Sequence, residues 1–178
     1  EKKAELSRLE EVVKKRDEAK RRLDELRTKY RETDNKYKET EQAESKAADL
    51  IKQYDKDMEK LCAELAEFGI ELEAGASEAR VQTATGEYKL AHSASALAAS
   101  LKVGDLCPVC GSTVKGECSH ITDGEFEQAL KLLSAAAKKV EQREKSREEL
   151  RGCKAVIDKL GAELEGIRKE GEARAAEY

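Results

Sequence analysis

The sequence predicts an all-α protein: an antiparallel coiled-coil hairpin with a C-x-x-C turn at its apex. Three observations lead there. Of 178 residues, 40% are charged and 4% aromatic, with one proline and no tryptophan. That is too little large apolar material for an ordinary globular core, and it suits long helices burying a narrow stripe. Apolar residues recur at 3-4 spacing through long stretches at both ends, which separates the chain from a disordered polymer. The only proline and two of the five cysteines fall together in a short segment between those stretches.

The first arm covers residues 1–68. One seam position runs Leu9, Arg16, Leu23, Tyr30, Tyr37, Glu44, Ile51, Met58, Leu65, and the other Val12, Ala19, Leu26, Thr33, Thr40, Ala47, Tyr54, Leu61, Phe68. Fourteen of these eighteen are apolar or tyrosine, the mark of a coiled-coil seam. The exceptions gather mostly at 33–44, so the seam is expected to be weakest there. At ~1.5 Å per residue the arm spans about 100 Å.

The second arm covers residues 122–178. Thr122 and Glu125 have capping-box spacing, and Ile121 and Phe126 stand where a hydrophobic staple sits. Two stripes follow: Phe126, Leu130, Leu133, Ala137, Val140, then Leu150, Cys153, Ile157, Leu160, Leu164, Ile167. They are out of phase across Arg143–Arg147, where two three-residue steps form a stammer. Gly152, Gly161, Gly166 and Gly171 each weaken the helix by up to about 1 kcal/mol, so partner packing must hold it.

Between the arms, residues 69–102 read as a linker and short helix, and 103–121 as the apex. The stripe Leu90, Ala94, Leu97, Leu101 predicts a helix over 87–102 lying opposite 124–139. The Gly- and Ala-rich 69–86 would then face the stammer, making a joint where both strands of the coil lose register. His92, among alanines and serines, is expected to face solvent.

Cys62 and Cys153 read as small side chains buried in helices. Cys107-Pro108-Val109-Cys110-Gly111 differs. A tight turn brings two thiolates to one side, Pro108 fixes a backbone angle, and Gly111 permits a left-handed conformation after the second cysteine. With no βαβ pattern around it, this reads as half of a tetrahedral Zn²⁺ site before a redox pair or an inert turn. The missing ligands have two sources. A second chain can supply its own Cys107 and Cys110, or Cys118 and His120 can close a local site of three cysteines and one histidine. Phe68, Leu106, Val109 and Ile121 are the apolar residues available for a rim around a shared metal.

The stretch Leu97-Ala98-Ala99-Ser100-Leu101-Lys102-Val103-Gly104-Asp105-Leu106-Cys107-Pro108-Val109-Cys110-Gly111-Ser112 resembles the zinc hook of SbcC, an SMC-like double-strand-break-repair ATPase. The resemblance is specific over 97–112 and architectural over the arms. It implies Cys107 and Cys110 as zinc ligands, with Pro108 and Gly111 as turn formers. It also implies a homodimer of two apices sharing one zinc, distant ATPase heads that engage an SbcD-type nuclease and DNA, and a cytoplasmic, nucleoid-associated location. Many such hooks continue with a short His-Pro element, where this chain has Val114-Lys115-Gly116-Glu117-Cys118-Ser119-His120. DndD-like and RloC-like ATPases share the apex motif.

Other functions are disfavoured. Residues 1–68 carry 18 Lys/Arg against 19 Asp/Glu, and 122–178 carry 12 against 13, so neither arm has the basic excess of a nucleic-acid site. No Gly-x-x-x-x-Gly-Lys-Ser/Thr string occurs. No apolar run suits a membrane span or a signal peptide. The expected function is a non-enzymatic, zinc-dependent tether cut from the middle of a larger repair ATPase. The alternative is a self-contained zinc knuckle on a monomeric hairpin that binds another protein.

Overall fold

Helix formation in the first 66 residues meets no breaker, since the first glycine is Gly69 and the lone proline is Pro108. The computed structural model, which describes residues 2–107, 111–116 and 121–176, accordingly opens with one 65-residue helix, α1 (Lys2–Ala66). Gly69 ends it, with φ +70°. The Ile70 N–H donates to the Leu65 carbonyl at 3.1 Å and the Gly69 N–H to the Ala66 carbonyl at 3.0 Å, the paired bonds of a Schellman stop. Two further helices follow, α2 (Glu78–Ala98) and α3 (Asp123–Ala176). The described residues are all-α, apart from one isolated antiparallel bridge, Leu106 to Thr113.

The chain divides into two compact units, Glu1–Ala47 with Glu148–Tyr178, and Ala48–Arg147. In the first, the opening part of α1 lies along the closing part of α3. Lys29 pairs with Glu163 at 3.4 Å, and a Cβ on Gly161 would stand 3.8 Å from the Tyr37 ring. Thr33, Ala47 and Ile167 are its buried side chains. Leu23, Leu26, Tyr37, Ile157 and Leu164 are half-buried. From Ala19 onward the expected seam positions are at least half-buried except Tyr30, which is 42% exposed. Leu9 and Val12 are exposed, because the last turns of α3, at Glu170 and Arg174, lie beside Arg22–Lys29 and not further back. Thr33, placed in the weak stretch, is buried all the same.

In the second unit three layers meet. The end of α1 and the start of α3 run antiparallel, with Asp57 and Lys139 2.8 Å apart. α2 and the 67–77 loop cover them. Met58, Leu65, Val81, Leu133 and Val140 are almost fully enclosed, with Ile70, Ala84, Tyr88, Ala129 and Ala136 around them. The buried line of α3 steps Val140, Arg143, Ser146, the two three-residue steps of the stammer. Arg143, 1% exposed, donates to the carbonyls of Ala74 and Ala76, both at 2.6 Å, and to Asp55 at 3.2 Å. The loop faces the stammer, as the sequence predicts, with a guanidinium holding them together.

α2 departs from expectation. It starts at Glu78, nine residues before the predicted 87, because Ser77 caps it by accepting from the Arg80 N–H at 3.3 Å. Its buried line is Val81, Ala84, Tyr88, Ser95, whereas Leu90 and Leu97 of the predicted stripe are 73% and 54% exposed. The helix carries apolar residues on both sides, and the aromatic side won. Phe126 lies against Tyr88, ring centroids 6.0 Å apart, and stacks on His92 at 3.8 Å. His92 is thus enclosed by stacking, not solvent-facing, and its Nε2 stands 3.2 Å from Asp123.

Candidate metal centre

The apex segment is positioned at both ends by short-range bonds that its residue types dictate. After α2, the Lys102 N–H donates to the Asp105 side chain at 2.8 Å and the Asp105 N–H returns to the Lys102 carbonyl at 3.0 Å. Gly104 takes φ +101°, a value that side chains resist. The chain then forms a narrow hairpin. The Gly104 N–H donates to Val114, Val114 to Asp105, and Cys107 to the Ser112 carbonyl at 2.8 Å. The Gly111 N–H closes the tip by donating to the Cys107 carbonyl at 2.8 Å, with Gly111 at φ +69°. The left-handed glycine expected after the second cysteine is in place.

The return into α3 is held just as locally. The Thr122 N–H donates to Glu125 at 2.8 Å and the Glu125 N–H to the Thr122 hydroxyl at 3.3 Å, a reciprocal capping box. The Thr122 N–H, and the Thr122 hydroxyl 2.8 Å away, hold the Glu125 carboxyl below its ordinary pKa. Ile121 and Phe126 both pack on the same core, as a staple requires. Ser95 of α2 accepts the Ile121 N–H at 2.7 Å, and His92 meets Asp123. So α2 grips the outgoing strand of the apex. Ser95 and His92 gave no signal in the sequence, since a serine among alanines and a histidine without neighbouring ligands look like surface residues.

Cys107 carries a free, half-buried thiol at the base of the turn. Pro108, Cys110, Cys118 and His120 lie outside the described residues. Among the described residues no three His, Cys, Asp or Glu side chains converge. Of the apolar rim, Leu106 is 69% exposed, and Val103 beside it is 65% exposed. Phe68 and Ile121 pack instead on the core of the second unit and are unavailable for a rim. Val109 lies outside the described residues. Cys62 and Cys153 are half-buried, and burial pushes the Cys62 thiol above its ordinary pKa, which suits an inert packing residue.

No helix among the described residues is long and apolar enough to cross a membrane. Compared with known proteins, the chain matches no family model, no curated protein and no solved structure.

Proposed function

We propose that this chain is a zinc-dependent tethering element, the hook and flanking coiled coil of an SbcC-type repair ATPase. In this reading α1 and α3 are the two arms of an antiparallel coiled-coil hairpin, and residues 103–121 are its apex. Cys107 and Cys110 of one chain, with the same pair from a second, would hold one Zn²⁺. The observation that carries the reading is the tip: a C-x-x-C opening on a free Cys107 thiol and closing on Gly111 at φ +69°. A bound zinc would supply cross-linking thiolate bonds worth ~10–16 kcal/mol at neutral pH, and four thiolates leave no open position for water.

Several consequences belong to the same reading. Metal governs association, because the apolar surface at the tip, Val103 and Leu106, is small. The segment acts by holding, not by catalysis. ATP hydrolysis, the nuclease partner and DNA contact would reside in head regions of a parent protein in the cytoplasm, in line with the balanced charge of both arms.

Zinc content and solution mass of two variants test it. Cys107→Ser is expected to lose both zinc and the dimer, while Cys118→Ser/His120→Ala keeps both. Loss of zinc from the second variant overturns the shared site and favours the self-contained knuckle.

A further inference from the structure

The outer face of α2 is apolar, as is its inner face. In a chain that is 40% charged, residues 90–101 contain no Asp, Glu, Lys or Arg. Leu90, Ala94 and Leu97 fall within roughly 60° of arc at 100° per residue, on the side opposite Val81, Ala84, Tyr88 and Ser95. Leu90 and Leu97 are 73% and 54% exposed. A helix apolar on both sides is one that is covered on both sides.

We propose that this face is a contact surface for the same face of a second copy of this chain, engaged when zinc joins the two apices. The inference rests on the tethering reading and adds a second point of contact to it. Three observations select a second copy over an unrelated partner. In a two-fold contact, residues near the axis meet their own copies, so any charge there would face its like. The absence of Asp, Glu, Lys and Arg over 90–101 is what such a contact needs. The face is also followed in the sequence, within the same compact unit, by the exposed Val103 and Leu106 and by Cys107. A two-fold axis placed at the tip by shared cysteines would bring the two α2 helices toward each other. Finally, two leucines and an alanine offer far less than the roughly 800 Å² per partner of a stable dimer. The surface cannot join two chains unaided, so it acts only once the metal has paid the cost of association. Ser93 and Ala94 are small, which permits close approach of the helices.

The test uses zinc-loaded protein with a photo-reactive amino acid at Ala94, mixed with isotope-labelled copies so that interchain products are recognised. The expected result is interchain cross-linking onto residues 87–101 of the other copy, abolished by chelator. The double variant Leu90→Gln/Leu97→Gln, with unchanged zinc content and helicity, is expected to dimerise about tenfold more weakly, a difference of ~1.4 kcal/mol. A zinc-joined dimer whose Ala94 products are all intrachain, or land elsewhere, overturns this inference alone. A protein that stays monomeric when zinc-loaded overturns the tethering reading with it.

Discussion

The two compact units are built from the same two long helices yet bury very different things. In the first, burial reaches Thr33, Ala47 and Ile167, and most other seam residues remain half-open. In the second, Met58, Leu65, Val81, Leu133 and Val140 are sealed, and the interior even admits the Arg143 guanidinium. The cause is a third layer. Two helices can shield only the seam between them, whereas the 67–77 loop and α2 close the open side of the pair. The buried charge is tolerable because Asp55 and two loop carbonyls accept hydrogen bonds from it. Its Nε has no hydrogen-bond partner and lies 3.9 Å from a Glu144 oxygen.

Breaking the clamp should separate the units most. Arg143→Ala leaves the Ala74 and Ala76 carbonyls without this donor, at about 1–3 kcal/mol each. Amide hydrogen exchange should accelerate through 67–77 and leave 20–47 unchanged. Equal loss of protection in both regions would refute the idea that the clamp serves the three-layered unit alone. Core truncation sharpens the contrast next. Leu133→Ala should cost about 2–5 kcal/mol in denaturant unfolding. Leu26→Ala, at a half-open seam position, should cost nearer 1 kcal/mol, in proportion to the smaller area it buries. Smaller still is Gly161→Ala. The added Cβ would meet Tyr37 at an ordinary 3.8 Å, so helix propensity should raise stability by up to about 1 kcal/mol. A fall in melting temperature would mean that the helices sit closer there than described.

Acid gives the gentlest test. Asp57 is held below its ordinary pKa by hydrogen bonds from Lys139 and Gln53, and Glu125 by those from Thr122. Groups depressed in the folded state add stability that is fully present above their unfolded pKa values, near 4, and is lost as pH falls through the folded ones. Both lie in the second unit, so Glu125→Gln should flatten the acid limb of its stability profile. An unchanged limb would remove the capping box from this account.

Much of this architecture is legible in the residues. Heptads place α1's buried side from Ala19 to Leu65, Tyr30 excepted, since apolar side chains at 3-4 spacing have one way to escape water. Thr122 and Glu125 mark the start of α3 because few other residues can satisfy its first N–H groups. The stammer at Val140, Arg143 and Ser146 is readable as spacing, yet nothing marks Arg143 as buried, because arginine is ordinarily a surface residue. α2 misleads for a physical reason. Its two apolar lines compete, and the choice between them depends on Phe126, which is far along the chain from Tyr88 and His92. At the tip, Cys107 and Gly111 announce their chemistry locally, while the hairpin register depends on carbonyl and amide pairings to which side chains contribute little.

The tethering account is tested most directly by zinc per chain together with solution mass, before and after chelation. It predicts about half a zinc per chain, four thiolates being drawn from two copies, and a dimer that falls apart under chelator. One zinc per chain on a monomer, or a dimer indifferent to chelation, would contradict it.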